Sequence, residues 1–390
     1  MIALPNASQK IARVLFSRLA GGAAVLVMFL CTANRLISFP IDKAVMFLVL
    51  VTILFTSPRE PFFRPAELVL IGMLIVLPVL SSMANLVFKP MIFFPFLGFS
   101  FAVVLSRRPN LVLGPLYYAL IFHIALGLVF VALAFAGFNN QYAWSLEEKG
   151  LPFVYSAMGF TATVQTFGTL CMLWLIIFYV RKSFYGVSRL DWFFFVINTL
   201  GVLSTLNRST FLFWIIILFF KMRRFFTVIL VVIAVFVVRF WHEVITFLGN
   251  PASIDARSEL LEGFNISFWG SHSIPVYIFG KGNNQLTEAV AAKTKWDYRL
   301  DIENGYAMLL HTYGFLGLFV YIGIASFFVA AFIRIRRFAE AFIMFFFLFV
   351  SPYITQEFVS MSFYLFLSTM LIIFRIYRGD NEFIHKPLTI

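Results

Sequence analysis

From Leu111 to Gly137 the chain carries no Asp, Glu, Lys or Arg. A helix of about 20 apolar residues reaches across the hydrocarbon of a bilayer. It is also one of the few structures whose backbone polar groups are all satisfied internally there. Such segments recur at about 21–39, 44–57, 67–87, 91–106, 111–137, 157–180, 192–206, 209–220, 225–240, 305–333, 339–354 and 359–376. They make about twelve spans, the shorter ones tilted, extended by neighbours or partly re-entrant. Only 12% of residues are charged and 61% are hydrophobic, whereas a soluble domain carries roughly 25% charged residues. The expected fold is therefore an all-α polytopic membrane protein, with residues 1–390 forming one integral membrane domain. The 53 phenylalanines suit lipid-facing helices and carry no catalytic meaning.

The formal net charge of +12 does not point to nucleic acid, because the basic residues fall in short clusters between apolar segments. With the N-terminus inside and the spans alternating, most of the 30 basic residues lie on the inner side. Among them are Arg59 and Arg64, Arg107 and Arg108, Arg181, Lys182 and Arg189, Lys221, Arg223 and Arg224, and Arg334, Arg336 and Arg337. This is the bias expected of cytoplasmic loops, and it places both termini in the cytoplasm. Losing one span would reverse the later loops and spoil the pattern. Residues 8–19 read either as a short amphipathic helix on the cytoplasmic surface or as a frayed basic tail. No small-residue cleavage site follows the first apolar run, so that span is expected to remain as an anchor. Cys31 and Cys171 both lie in apolar segments, which argues against a disulfide framework or a zinc site.

Two outer loops stand out, at about 138–156 and 241–304. The second is far longer, is expected to contain short helices, and has the length of a functional loop. It ends at Asp301-Ile302-Glu303-Asn304-Gly305-Tyr306, where a polar stretch runs into a long apolar helix. Polar groups beside hydrocarbon are costly, so this entry reads as a site facing water. Glu303 suits a general base beside an acceptor hydroxyl. Asn304 and His311 are seven residues apart and fall on nearly one helix face. His311 reads first as a satisfied histidine facing other helices. In the tight outer turn Ser204-Thr205-Leu206-Asn207-Arg208-Ser209-Thr210, Arg208 opposes the orientation rule. Its planar fork suits a phosphate or diphosphate, and snorkelling to headgroups is the alternative. Arg257 follows Asp255, a candidate helix cap, and taken alone is a solvated arginine. Gly280-Lys281-Gly282 lets the backbone approach a ligand, with Lys281 able to meet an anion. It lacks the spacing of a P-loop and taken alone is a turn. No spacing of His, Cys, Asp or Glu suits a metal.

In order, these motifs resemble the bacterial O-antigen polymerase/ligase superfamily, the Wzy-type repeat-unit polymerases and their lipopolysaccharide-ligase relatives. The resemblance rests on the Ser204–Thr210 turn, Ala256-Arg257-Ser258-Glu259-Leu260, Phe279-Gly280-Lys281-Gly282, and Glu303-Asn304-Gly305-Tyr306 leading into Tyr313-Gly314-Phe315-Leu316-Gly317. It implies a GT-C-like, metal-independent inverting glycosyltransferase that needs no cofactor. The implied substrate is undecaprenyl-diphosphate-linked oligosaccharide, used at the periplasmic face of the bacterial inner membrane. By the same resemblance Arg208 and Arg257 hold the diphosphate, and Asn304, Tyr306, Lys281 and His311 contact substrate. A chain-length regulator and a flippase are the implied protein partners. The family often has His-Asn-x-Tyr where this chain has Glu303-Asn304-Gly305-Tyr306. That difference passes the base role to Glu303 and favours polymerase over ligase. A lipid-linked-oligosaccharide flippase is the rival of a different class, and it predicts charges along a central cavity and related halves.

Overall fold

The computed structural model describes residues 43–44, 46–48, 50–51, 65–86, 88–138, 140–147, 153–239, 261–294, 300, 302, 304–354 and 360–379. The segment 8–19 and the first span, 21–39, lie outside these residues, as do Arg257 and Glu303. The described chain is mostly helical. It includes α1 (Pro65–Asn85), α2 (Phe94–Leu105), α3 (Pro109–Phe135), α4 (Val164–Phe184), α5 (Arg189–Ser204), α6 (Arg208–Lys221) and α7 (Arg223–Arg239). The described residues of the long loop include the short helices α8 (261–268), α9 (Ile274–Phe279) and α10 (Glu288–Ala291). The chain then forms α11 (Gly305–Arg334), α12 (Phe338–Tyr353) and α13 (Met361–Arg378). Of these, α1, α3, α4, α11 and α13 are long and apolar enough to cross a membrane.

Local chemistry sets the helix starts. Pro65 occupies the first turn of α1, where no N–H is needed. Ser188 and Asp191 form a reciprocal capping box at α5. Thr163, Asn207, Asn304 and Ser360 cap α4, α6, α11 and α13 by accepting backbone N–H groups. At the other end of α13, Gly379 adopts the left-handed conformation that closes many helices. The apolar run at 157–180 begins its helix later than hydropathy suggests. Residues Tyr155–Ala157 form β2, paired antiparallel with β1 (Ala143–Ser145) so that Trp144 faces Ser156. The Phe160 N–H then donates to His123 Nε2 at 3.0 Å, pinning this hairpin to α3.

α4 and α13 form the centre of the bundle. In their most apolar windows 72% and 78% of residues are buried, against 22% in α1 and α11. The outward residues of α1 include Leu68, Val69, Met73, Val76 and Met83, a face suited to lipid. Where helices meet, small residues allow close approach: Gly168 of α4 lies directly under Thr210 of α6.

Prolines interrupt two helices and leave carbonyls to be satisfied by side chains. A π-helical turn, Val112–Leu116, surrounds Pro115. Arg181 donates to the Leu113 carbonyl there at 2.8 Å. A second π turn, Phe346–Val350, precedes Pro352. A proline cannot bond the carbonyl four residues back, which here is Leu348. Tyr321 donates to that oxygen at 2.7 Å, and Tyr306 donates to Phe349 O at 2.7 Å. Such substitution is what permits broken helices at membrane depth.

The ion pairs gather at one end of the bundle. Glu67, at the start of α1, meets Arg107 beyond α2 and Arg375 in the last turn of α13. Asp191 accepts from Tyr117 at 2.8 Å and lies 3.8 Å from Arg181. Lys221, closing α6, pairs with Glu340 at the start of α12 and sits over the Tyr179 ring. Arg337 covers Tyr377. The caps Thr163, Asn207, Asn304 and Ser360 therefore open helices at the opposite end.

Candidate functional site

α11 does not run straight. At Gly314 its backbone takes φ 65° and ψ −165°, outside any helix. The break frees the carbonyls of the preceding turn, as at any helix C-terminus. The loop segment Gly280–Asn283 supplies the missing donors. Lys281 N–H donates to His311 O at 2.7 Å, and Gly282 N–H to Thr312 O at 3.1 Å. Ser81 of α1 adds a bond to Thr312 O at 2.8 Å, and Asn85 holds Gly280 O at 2.8 Å. The backbones touch: a Cβ on Gly280 would overlap the Thr312 carbonyl, and one on Gly314 would overlap Ile278. Both glycines have positive φ, so space and conformation each demand them.

This docking joins two of the residues singled out in the sequence. The Lys281 ammonium donates to Ser267 Oγ at 3.1 Å, and Ser267 Oγ lies 2.9 Å from His311 Nε2. His311 Nδ1 is 2.6 Å from the Asn283 carbonyl. A carbonyl only accepts, so Nδ1 carries the proton and Nε2 accepts from Ser267. Ser267 and His311 are buried, and together they hold the Lys281 ammonium in place. Burial also lowers the Lys281 ammonium below its usual pKa. His311 is thus a satisfied histidine facing its neighbours.

Three other residues singled out in the sequence, Asn304, Tyr306 and Arg208, are among the described residues. Asn304 caps α11 through Ala307 N–H at 3.0 Å and ties it to α12 by donating to Tyr353 O at 2.9 Å. Tyr306 spends its hydroxyl on Phe349 O. Both are half-buried and brace α11 against α12. Arg208 is exposed and opens α6 after the Asn207 cap. It shares the capped end of the bundle with Asn304 but stands on a different helix from the Lys281 group. Among the described residues, no three His, Cys, Asp or Glu side chains converge on a metal position.

Ser267, Ser81 and Asn85 were not singled out by sequence reasoning. Ser267 follows Phe264 by three residues and precedes Phe268, a polar interruption of the inward face of α8 that could have marked it. Ser81 and Asn85 look like ordinary polar residues at the end of a span. An apolar crevice of about 70 Å³ lies between α1, α2, α11 and α13, lined by Leu74, Leu77, Phe99, Tyr313, Phe328 and Tyr364 among others. Leu309, Tyr313 and Gly317 line it, a helix face turned away from His311. The hydroxyl of Tyr313 is committed to the Ile92 carbonyl, so polar chemistry belongs to the Lys281 side. Compared with known proteins, the chain matches no family model and no curated sequence.

Proposed function

We propose that the chain is a membrane-embedded, metal-independent inverting glycosyltransferase. It polymerises undecaprenyl-diphosphate-linked oligosaccharide repeat units for O-antigen, capsule or exopolysaccharide. In this reading about twelve spans in a GT-C-like arrangement carry it in the bacterial inner membrane, with both termini cytoplasmic. The observation that carries the reading is the docking of Gly280–Asn283 on broken α11, about two turns beyond Asn304 and away from the ion-paired end. An outer loop anchored so firmly beside a polar helix entry is the arrangement of a site rather than of a connection.

The growing chain sits on its lipid diphosphate beneath the long outer loop. Glu303 takes the proton from a sugar hydroxyl of the incoming repeat unit. That oxygen attacks the anomeric carbon of the growing chain, and the bond to diphosphate breaks. Arg208 and Arg257 neutralise the departing diphosphate, which is stabilisation of developing charge. The sugar–diphosphate bond supplies the driving force, so no nucleotide is required outside the cell.

A knockout strain tests this. Arg208→Ala or Glu303→Gln should leave the protein inserted while the long-polymer ladder collapses to a single repeat unit on core. Normal ladders from both variants overturn the assignment. Core without any repeat would instead identify a ligase. Lipid-linked units trapped inside intact cells would identify a flippase, a reading that the concentration of polar groups at one end disfavours.

A further inference from the structure

One group of side chains has no part in the glycosyl-transfer steps proposed above. Ser267 lies in the last turn of α8, and His311 three residues before the break in α11. Ser267 Oγ stands 2.9 Å from His311 Nε2, the separation of a nucleophile from its base. The Nδ1 proton is held by the Asn283 carbonyl at 2.6 Å. That bond keeps Nε2 as the acceptor and fixes the ring, the part a carboxylate plays in a catalytic triad. Thr312 Oγ1 also donates to this carbonyl, at 3.3 Å. The Lys281 ammonium lies 3.1 Å from the same serine oxygen and has three donors. Asn265-Ile266-Ser267-Phe268-Trp269 is not the G-x-S-x-G turn, so geometry alone reveals the pair. Ser267 and His311 are buried and Lys281 is half-buried, so the group opens at its lysine. The exposed side chains close by in the chain are apolar: Trp269, two residues after Ser267, and Ile278, three before Lys281. Trp269 packs edge-on against the Phe268 ring at 5.0 Å.

We propose that Ser267 is the nucleophile and His311 the base of a second activity, hydrolysis of carboxylic esters that carry an apolar acyl chain. Ser267 Oγ attacks the ester carbonyl carbon while Nε2 takes the hydroxyl proton. The carbonyl oxygen becomes negative, and the remaining N–H groups of Lys281 stabilise it. As the carbonyl re-forms, the bond to the alcohol oxygen breaks, and His311 gives that oxygen the proton. Water, deprotonated by the same Nε2, then attacks the acyl-serine; the acid leaves and the proton returns to Ser267. Trp269 and Ile278 supply the surface against which the acyl chain lies. This activity stands or falls independently of the polymerase reading.

The test uses the full chain in dodecyl maltoside, treated with an alkyl fluorophosphonate and mapped by peptide mass spectrometry. The adduct should fall on Ser267. Hydrolysis of p-nitrophenyl octanoate should lose roughly a thousandfold or more in kcat/KM in Ser267→Ala. Lys281→Met should lower kcat by about a hundredfold, and Lys281→Arg should recover most of it. Mapping the adduct needs no variant, so it decides the matter even where Ser267→Ala fails to fold. An unmodified Ser267 overturns the proposal, as does a Ser267→Ala protein that hydrolyses the octanoate like the parent. Faster turnover of p-nitrophenyl acetate than of the octanoate overturns the assignment of an apolar acyl chain.

Discussion

Gly314 and Gly317 sit three residues apart in Tyr313-Gly314-Phe315-Leu316-Gly317, and each is required for a different reason. Gly314 holds a positive φ against the Ile278 carbonyl, while Gly317 makes room under the Tyr313 side chain. Gly323, on the same helix, has open space around it. Gly314→Ala should destabilise the protein by about 1–3 kcal/mol from backbone strain alone, and more from overlap. Gly323→Ala should be neutral or slightly stabilising. Thermal unfolding in detergent separates them, and equal midpoints would contradict the break described at Gly314. A sequence displays all three glycines alike. Which one breaks the helix depends on Ile278 and Gly280, some thirty-five residues earlier in the chain, so no local pattern reveals it. The same distance hid Ser267, whose partners Lys281 and His311 were each legible singly.

Among the elements, the apolar periods located helices well and their interruptions poorly. The run at 67–87 is α1, and the run at 359–376 is α13, each within a few residues. The run at 157–180 opens its helix only at Val164, because Ala157 closes a strand paired with Ala143 and the Phe160 N–H is held by His123. Proline announces a disruption without saying what repairs it. At Pro352 the repair comes from α11, through Tyr321 and Tyr306. Tyr321→Phe leaves the Leu348 carbonyl without a donor in an apolar setting, at a cost of about 1–3 kcal/mol. Tyr306→Phe should also destabilise, by less, because Tyr306 is half-buried at the helix start. Unfolding in mixed micelles measures both. If Tyr321→Phe proved as stable as the parent protein, this account of the π turn would be lost.

Across the whole molecule, charge sorts the two ends. Every described salt bridge lies at the end where α2, α4, α6 and α13 finish, the end that the proposed orientation puts in the cytoplasm. Thr287, in the long loop, and Asn110, just past Arg108, are both exposed. In a background lacking Cys31 and Cys171, Thr287→Cys should react with a membrane-impermeant maleimide in spheroplasts. Asn110→Cys should react only after permeabilisation, and the reverse pattern would invert the orientation. The basic clusters give an expectation of sidedness because charge bias survives any uncertainty in helix ends, and the labelling is what tests it. The docked loop also has a consequence for biogenesis. Ser81, Asn85 and residues 280–283 all precede α11 in the chain. Synthesis runs from the N-terminus, so every group that seals the break at Gly314 has emerged from the ribosome before that helix is threaded into the bilayer. The nascent helix meets a finished receptacle, and its exposed carbonyls need not wait in lipid for a partner still to be translated.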